Sequence, residues 1–244
     1  MINPFTFVPL FVRLIGSANK YNKNVPEFDR MREAGDAEAE RALILQASGV
    51  WSEEVSKLIK VNYDIVGEEN IPESGPIMVY ANHQGLADIL AIYYLFRNHF
   101  QIGFVSKNEW RKLGPLAKAI EYTRSIFLVR DNSREALKAI CEAGELLQHG
   151  FSLAIFPEGT RSQRHEMGEF QTASFKFAEK AGVPILPITL DGSYKIFEEN
   201  GNYRPNQTIK IKVHPLVHIE NMERKEKKHA YVEIEECIRE GLEA

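Results

Sequence analysis

Two short segments of the sequence carry the side chains that could do chemistry. In segment 82–88 (NHQGLAD), His83 and Asp88 are separated by four residues, and segment 156–162 (FPEGTRS) places Arg161 just after a Gly-Thr pair. An imidazole whose orientation is fixed by a carboxylate can act as a general base. A glycine-containing loop beside a guanidinium can bind an anion. Together, the two segments predict group transfer onto a phosphorylated acceptor.

The His83–Asp88 contact requires the histidine to precede the helix that carries the aspartate. On one ideal helix the two side chains would point about 140° apart. The apolar run 77–81 predicts a strand, and a helix is predicted over 86–100, so a bend at Gly85 would let Asp88 reach back to the ring. Because open α/β sheets bind ligands beyond the carboxyl ends of their strands, this turn is a good place for a site.

Segment 156–162 also follows an apolar strand, and it offers several groups to an anion. Gly159 would let a ligand approach the backbone, and free amides at Gly159 and Thr160 could donate to it. Arg161 could hold a phosphate through two parallel hydrogen bonds. Lys107 follows the strand predicted at 102–106 and should open onto the same edge. The alternative for this segment is a turn closed by an Arg–Glu ion pair.

The sequence contains no recognisable activated nucleophile and no metal-ligand pattern. It lacks a Gly-x-Ser-x-Gly elbow, and neither Cys141 nor Cys237 has a histidine at a plausible position. His214 and His218 continue the polar face of an alternating strand, without a carboxylate or cysteine to complete a metal site, so we expect an exposed strand face there. A base without a covalent nucleophile implies direct attack by a substrate hydroxyl or by water.

Strands alternate with helices along most of the chain. Strands are predicted near 61–65, 77–81, 102–106, 125–129, 152–156, 185–190 and 208–213. Helices are predicted between several of them and at the C-terminus from about Lys227. This order predicts an α/β fold whose mixed, mainly parallel sheet is flanked by helices. We assign residues 61–244 to the catalytic domain.

Residues 1–60 are predicted to form a separate helical segment. A helix opens at Asn3-Pro4, another runs from Pro26 and stops at Gly49, and Ser52 caps a shorter one. The apolar run between Ile2 and Ile15 is too short to span a bilayer and lacks the features of a signal peptide. It could lie in the membrane interface or pack against the protein's own core.

Composition restricts the classes of partner. The chain has 244 residues, of which 44% are hydrophobic and 26% charged, values that are ordinary for a globular protein. The net charge of −4 provides no global basic field, which argues against general nucleic-acid binding. The two cysteines are best explained as inert thiols in a reducing, cytosolic setting.

Four segments in chain order resemble the glycerolipid acyltransferase family, specifically the bacterial 1-acyl-sn-glycerol-3-phosphate acyltransferases. They are 82–88, 107–130, 156–162 and 183–188. The sequence departs from the family pattern at two positions: Gly85 stands where the family often has serine, and Thr172 where a glycine is common. The resemblance covers about residues 61–215.

The resemblance implies transfer of a fatty acyl group from acyl carrier protein or acyl-CoA to the sn-2 hydroxyl of lysophosphatidate, giving phosphatidate in phospholipid synthesis. No cofactor or metal is implied. By resemblance, His83 is the base and Asp88 orients it, Lys107 and Arg161 bind the acceptor phosphate, and the remaining residues shape the glycerol and oxyanion region, namely Glu158, Gly159 and Thr160.

Two alternatives keep the same site. The acceptor could be glycerol-3-phosphate, another lysophospholipid or a lyso-aminolipid, or the protein could be a thioester hydrolase in which His83 activates water. A non-catalytic lipid-binding module is disfavoured by the intact His83 and Asp88. Because the implied substrates are lipids, we expect the helical segment 1–60 to be a membrane-interface anchor rather than only a part of the core. The expected location is the cytoplasmic face of the membrane, as a peripheral or monotopic protein.

Overall fold

A seven-stranded sheet organises the computed structural model, which describes residues 4–129 and 132–243. Its strands are β1 (Asn62–Val66), β2 (Met78–Ala81), β3 (Ile102–Lys107), β4 (Ile126–Leu128), β5 (Ser152–Ile155), β6 (Ile185–Asp191) and β7 (Thr208–Val213). Their spatial order is β1-β7-β6-β2-β5-β3-β4, and of the pairs only β6–β7 is antiparallel. The predicted mixed, mainly parallel α/β sheet is confirmed.

Helices cover both faces of this sheet. They are α1 (Pro4–Tyr21), α2 (Val25–Ala34), α3 (Ala37–Leu58), α4 (Ala87–Phe96), α5 (Pro115–Tyr122), α6 (Ser133–Gln148), α7 (Lys176–Ala181), α8 (Tyr194–Phe197) and α9 (Arg224–Glu243). The short helix α8 was not predicted from the sequence, because four residues are too few to show an apolar period.

The central strand β2 shows how the two layers share the sheet. All four of its residues are buried, as expected for a parallel strand covered on both faces. Val79 and Ala81 join the cluster that includes α4, while Met78 and Tyr80 join the cluster that includes α6 and α9. Because β2 lies between β5 and β6, its carboxyl end is central at the edge where His83 follows.

The helix boundaries predicted within residues 1–60 were wrong at Gly49. Helix α3 runs through Gly49 without a break and is capped at its start by Asp36, whose side chain accepts the Ala39 amide. A Cβ at position 49 would lie 3.3 Å from the Arg97 carbonyl oxygen, so this glycine permits close packing against the end of α4. The domain boundary at residue 60 stays a prediction.

Helix α1 has both a packed side and an exposed side. Leu10 is buried in the core cluster, whereas Val8 and Val12 are 54% and 64% exposed. The core-packing alternative therefore describes one face of the helix, and membrane contact by the exposed face stays a prediction. Over the described residues, no helix combines the length and hydropathy needed to cross a membrane.

His214 corrects the prediction of an exposed strand face at 214–218. It is only 7% exposed, and its Nε2 lies 2.8 Å from Thr189 Oγ1, which donates to the Ile238 carbonyl oxygen. The long helix α9 packs over β6 and covers this histidine, an effect that alternation along one strand does not reveal. His218 is exposed as expected, beside Glu220.

Candidate active site

His83 lies in the loop between β2 and α4 and contacts Asp88 as predicted. The distance from His83 Nδ1 to Asp88 Oδ2 is 2.8 Å, and the aspartate side chain is fully buried while the imidazole keeps 15% exposure. Since a carboxylate accepts, Nδ1 carries the hydrogen and Nε2 is left as the basic nitrogen. The contact is possible because α4 begins only at Ala87.

Asp88 also holds the loop itself. Its Oδ2 accepts the backbone amides of Gln84 and Gly85, each at 2.7 Å, in addition to the imidazole. Its Oδ1 is buried without a hydrogen-bond partner among the described residues. Three donors on one oxygen fix both the loop and the ring that the loop carries.

The two motif segments are joined through backbone and ring contacts. The His83 ring stacks on Phe156 with centroids 4.0 Å apart. The amides of Ser162 and Gln163 donate to the carbonyl oxygens of His83 and Gln84, at 2.8 and 3.1 Å. The loops that follow β2 and β5 therefore form one unit, because these strands are parallel neighbours and their carboxyl ends lie side by side.

Glu158 is a buried link between the loops. Its Oε1 accepts the His83 amide at 2.6 Å, and its Oε2 accepts the Gly168 amide at 2.7 Å. Burial raises the pKa of this carboxyl to about 7, against the lowering effect of these two hydrogen bonds. Because both oxygens are occupied by backbone donors, we propose that Glu158 shapes the site by holding the loops.

Gly159 differs in part from its predicted role. Its φ of 72° is in the left-handed region, which explains the glycine. Its amide is not free, because it donates to the Phe156 carbonyl oxygen at 3.0 Å to close the turn. The next residue, Thr160, is exposed, and neither its amide nor that of Arg161 has a hydrogen-bond partner among the described residues. These two amides could donate to an anion.

Arg161 forms an ion pair with a residue outside both motif segments. Its Nη1 donates to Glu198 Oε1 at 2.9 Å, and its side chain is 31% exposed, against 2% for Glu198. The Arg–Glu alternative raised by the sequence therefore occurs, but with a partner distant in the chain. No other hydrogen bond of this guanidinium occurs within residues 4–129 and 132–243, so its remaining donors could bind a ligand.

Lys107 ends β3 and is exposed, but no contact joins it to His83 or Arg161 within the described part of the chain. Phe104 and Ser106 line a cavity on one face of β3, so alternation puts Lys107 on the other face. Its phosphate-binding role stays a prediction. Arg124 pairs with the buried Glu40, and Arg130 lies outside the described residues.

An apolar cavity of about 470 Å³ adjoins the start of α4. Its wall is almost entirely hydrophobic and comes from α1, α3, α4, α5, α8 and the end of β3 with the segment that follows it. Lining residues include Phe11, Trp51, Leu86, Phe104, Leu116 and Phe197. Phe104 also stacks on Phe156, which in turn carries the His83 ring, so the cavity wall reaches the site.

Comparison with known proteins places this site in a family. An acyltransferase family model matches residues 62–191, which is more than half of the chain. The chain belongs to the acyltransferase family. All the sequence-predicted site residues lie within the matched range.

Individual acyltransferases are similar over much of the chain. A 1-acyl-sn-glycerol-3-phosphate acyltransferase of Borreliella burgdorferi is 30% identical, covering 73% of this chain and 71% of that protein. One from Pseudomonas aeruginosa is 31% identical over 66% of this chain and 61% of its own length. The crystal structure of a 1-acyl-sn-glycerophosphate (LPA) acyltransferase from Thermotoga maritima superposes with a TM-score of 0.72 at 27% identity, covering 95% and 94% of the two chains.

Within segment 82–88, two supporting residues were missed by sequence reasoning. Asn82 exchanges two hydrogen bonds with the backbone of Leu190, and Gln84 binds Gly192, Asp191 and the His165 carbonyl oxygen. Their polar side chains beside His83, directly after an apolar strand, were the available signal. Across residues 4–129 and 132–243, no three His, Cys, Asp or Glu side chains converge to hold a metal ion.

Proposed function

We propose that this acyltransferase transfers a fatty acyl group from acyl carrier protein or coenzyme A to the sn-2 hydroxyl of lysophosphatidate, forming phosphatidate. The observation that carries the proposal is the His83–Asp88 contact at 2.8 Å, which leaves Nε2 as a base. The similarity to proteins with this activity, 30% identity in one case, supports the same choice of acceptor.

The proposed mechanism needs only the two substrates. Nε2 of His83 takes the proton of the acceptor hydroxyl while the hydroxyl oxygen attacks the thioester carbonyl carbon. The tetrahedral intermediate collapses, the carbon–sulfur bond breaks, and the imidazolium returns the proton to the departing thiolate. Asp88 stabilises the imidazolium that exists between the two transfers. No further cofactor takes part.

Two other features support this chemistry. The backbone amides of Thr160 and Arg161 could donate hydrogen bonds to the oxyanion or to the acceptor phosphate. We assign binding of the phosphate to the side chains of Arg161 and Lys107. The apolar cavity could accept an acyl chain, since its wall offers hydrocarbon contacts beside the His83 loop.

We also propose that the protein binds the cytoplasmic face of the membrane through α1. Val8 and Val12 present exposed apolar surface, and the chain around the cavity-lining Trp110, Leu113 and Leu116 carries exposed cations, namely Arg111, Lys112 and Lys118. Apolar side chains beside basic ones favour binding to an anionic lipid surface.

The decisive experiment is an acyl-transfer assay with both donor types and a panel of acceptors: lysophosphatidate, glycerol-3-phosphate, other lysophospholipids and a lyso-aminolipid. We expect phosphatidate from lysophosphatidate, and a loss of about 10²–10⁴-fold in rate for His83→Ala. Fatty acid release that is independent of acceptor would instead identify a thioester hydrolase. If only another acceptor of the panel were acylated, that acceptor would replace lysophosphatidate as the proposed substrate.

A further inference from the structure

Glu198 is a buried carboxylate next to the candidate site that belongs to none of the acyltransferase motifs. It follows α8 and lies beyond the residues matched by the family model, which end at 191. Its side chain is only 2% exposed. A carboxylate this deeply buried is costly unless its oxygens are well partnered, so its contacts indicate its role.

One oxygen of Glu198 connects both motif loops. Oε1 accepts the backbone amide of Leu86 and the Nη1 of Arg161, each at 2.9 Å. Leu86 belongs to the loop that carries His83, and Arg161 belongs to the loop after β5. The carboxylate therefore fixes the guanidinium relative to the base.

The other oxygen of Glu198 explains Gly85. A Cβ built at position 85 would lie 2.7 Å from Oε2 and 3.2 Å from the backbone carbonyl carbon of Ser193, so a side chain there would require the carboxylate to move. Oε2 has no hydrogen-bond partner among the described residues, and it occupies the space that a side chain at position 85 would need. The glycine at position 85 and the glutamate at position 198 thus form a matched pair.

We propose that Glu198 is a positioning residue for acceptor binding. It orients the Arg161 guanidinium and partly neutralises its positive charge. This inference rests on the proposed function, since it assigns the acceptor phosphate to Arg161. Orientation favours phosphate binding, because a fixed guanidinium loses less conformational freedom on binding. The negative charge opposes binding, because Glu198 and the phosphate share one cation. The two effects can be separated by substitution.

The first test compares Glu198→Gln and Glu198→Ala by steady-state kinetics. Glutamine keeps an acceptor oxygen for Leu86 and Arg161 but removes the charge, so the acceptor KM should fall about three- to tenfold. Alanine removes the orientation as well, so the acceptor KM should rise about tenfold. The donor KM should be unchanged in both variants. Glu199→Gln, an adjacent residue paired on the surface with Arg204, is the matched control and should leave every constant unchanged.

The second test uses Gly85→Ala alone and combined with Glu198→Ala. The added Cβ should displace Glu198, so the single variant should reproduce the raised acceptor KM of Glu198→Ala. The double variant should be no worse than either single one.

The inference is overturned if Glu198→Gln and Glu198→Ala change the acceptor KM alike, or if the donor KM changes as much as the acceptor KM. It is also overturned if the effects of Gly85→Ala and Glu198→Ala on the acceptor KM add up in the double variant. If Glu198→Ala melts too low to assay, a raised or unchanged acceptor KM in Glu198→Gln overturns the inference by itself. The wild-type rate is read first: no phosphatidate from lysophosphatidate would refute the proposed function, whereas normal wild-type activity with unresponsive variants would refute only the role of Glu198.

Discussion

At the scale of single residues, buried carboxylates control this site. Asp88, Glu158 and Glu198 each bind backbone amides of the His83 loop, and Asp88 and Glu198 also bind a functional side chain. The Asp88 charge contributes to raising the pKa of Glu158 and Glu198, for both of which burial is the main cause. Three buried carboxylates therefore hold the loop that carries His83.

Asp88→Asn should separate orientation from charge. An asparagine oxygen could still accept from the loop amides, but it would stabilise the imidazolium much less. We expect the turnover rate to fall by about 10²–10⁴-fold while the acceptor and donor KM values change little. Single-turnover kinetics with thermal melting as a folding control would check this. A variant with near-wild-type turnover would contradict the role assigned to Asp88.

Glu158 should make stability depend on pH in an unusual direction. Its pKa rises from an ordinary 4.5 to about 7 in the folded protein, mainly through burial. The folded state therefore binds the proton more tightly, so this contribution is complete below pH 4.5 and is lost as pH rises through 7. The loss amounts to at most about 3 kcal/mol of unfolding free energy.

Glu158→Gln should abolish that fall in stability between pH 4.5 and 7, as measured by denaturant unfolding across the range. Its absolute stability should be lower throughout, because the amide nitrogen cannot accept the second backbone hydrogen bond. Glu166→Gln is the control, since the Glu166 side chain is 71% exposed. An unchanged pH profile in Glu158→Gln would show that the carboxyl titrates normally.

At the scale of elements, strand ends and helix packing decide which side chains meet. The carboxyl ends of β2 and β5 carry the two motif loops, and α9 covers β6 and buries His214. Thr189 Oγ1 donates to Ile238, so His214 Nε2 must carry a hydrogen and donate to Thr189. This contact ties α9 to the sheet through a titratable group.

His214→Gln should reduce the acid sensitivity of the α9 packing. Burial lowers the pKa of His214 from 6.5 to about 4, so its contribution is present above pH 6.5 and is lost as pH falls towards 4. Between about pH 4.5 and 6.5, His214 makes the unfolding free energy rise with pH, whereas Glu158 makes it fall. The two contributions therefore have to be separated by single variants. Glutamine can donate the same hydrogen bond without titrating.

The measurement is the unfolding free energy of wild type and His214→Gln from pH 4 to 6.5, where the wild-type loss should reach at most about 3 kcal/mol. His218→Gln serves as the exposed control. Parallel curves for wild type and His214→Gln would rule out this histidine as the source of acid sensitivity.

At the scale of the whole molecule, the apolar cavity and the exposed side of α1 lie together. Phe11 and Leu14 of α1 line the cavity, while Val8 and Val12 face outwards. A protein that takes an amphiphilic acceptor from a lipid surface would need such an arrangement. Packing of α1 against α3 and α5 fixes this position.

Val12→Glu should weaken binding to anionic lipid vesicles by about tenfold or more, because it puts a charge on the apolar face of α1 that we propose contacts the membrane. Co-sedimentation with the vesicles is the measurement. Val232→Glu is the matched control, since that valine is also about half exposed but lies on α9. Equal losses in the two variants would contradict a membrane-binding role for α1.

The sequence by itself determined the alternation of strands and helices, the fold class and the His83–Asp88 contact. These depend on short-range patterns: apolar runs, helix starts, and a spacing that only a strand-to-helix turn can close. It also predicted the neighbouring position of the two motif loops, because both follow strands of a mainly parallel sheet.

Only the tertiary structure decided that Glu198 pairs with Arg161, that Gly85 makes room for that glutamate, and that α9 buries His214. Each of these contacts joins elements far apart in the chain. Their geometry depends on strand order and helix placement, which local periodicity does not specify. The His83–Asp88 contact can therefore be predicted from residue spacing, but the partner of Arg161 is set by the packing of the whole sheet.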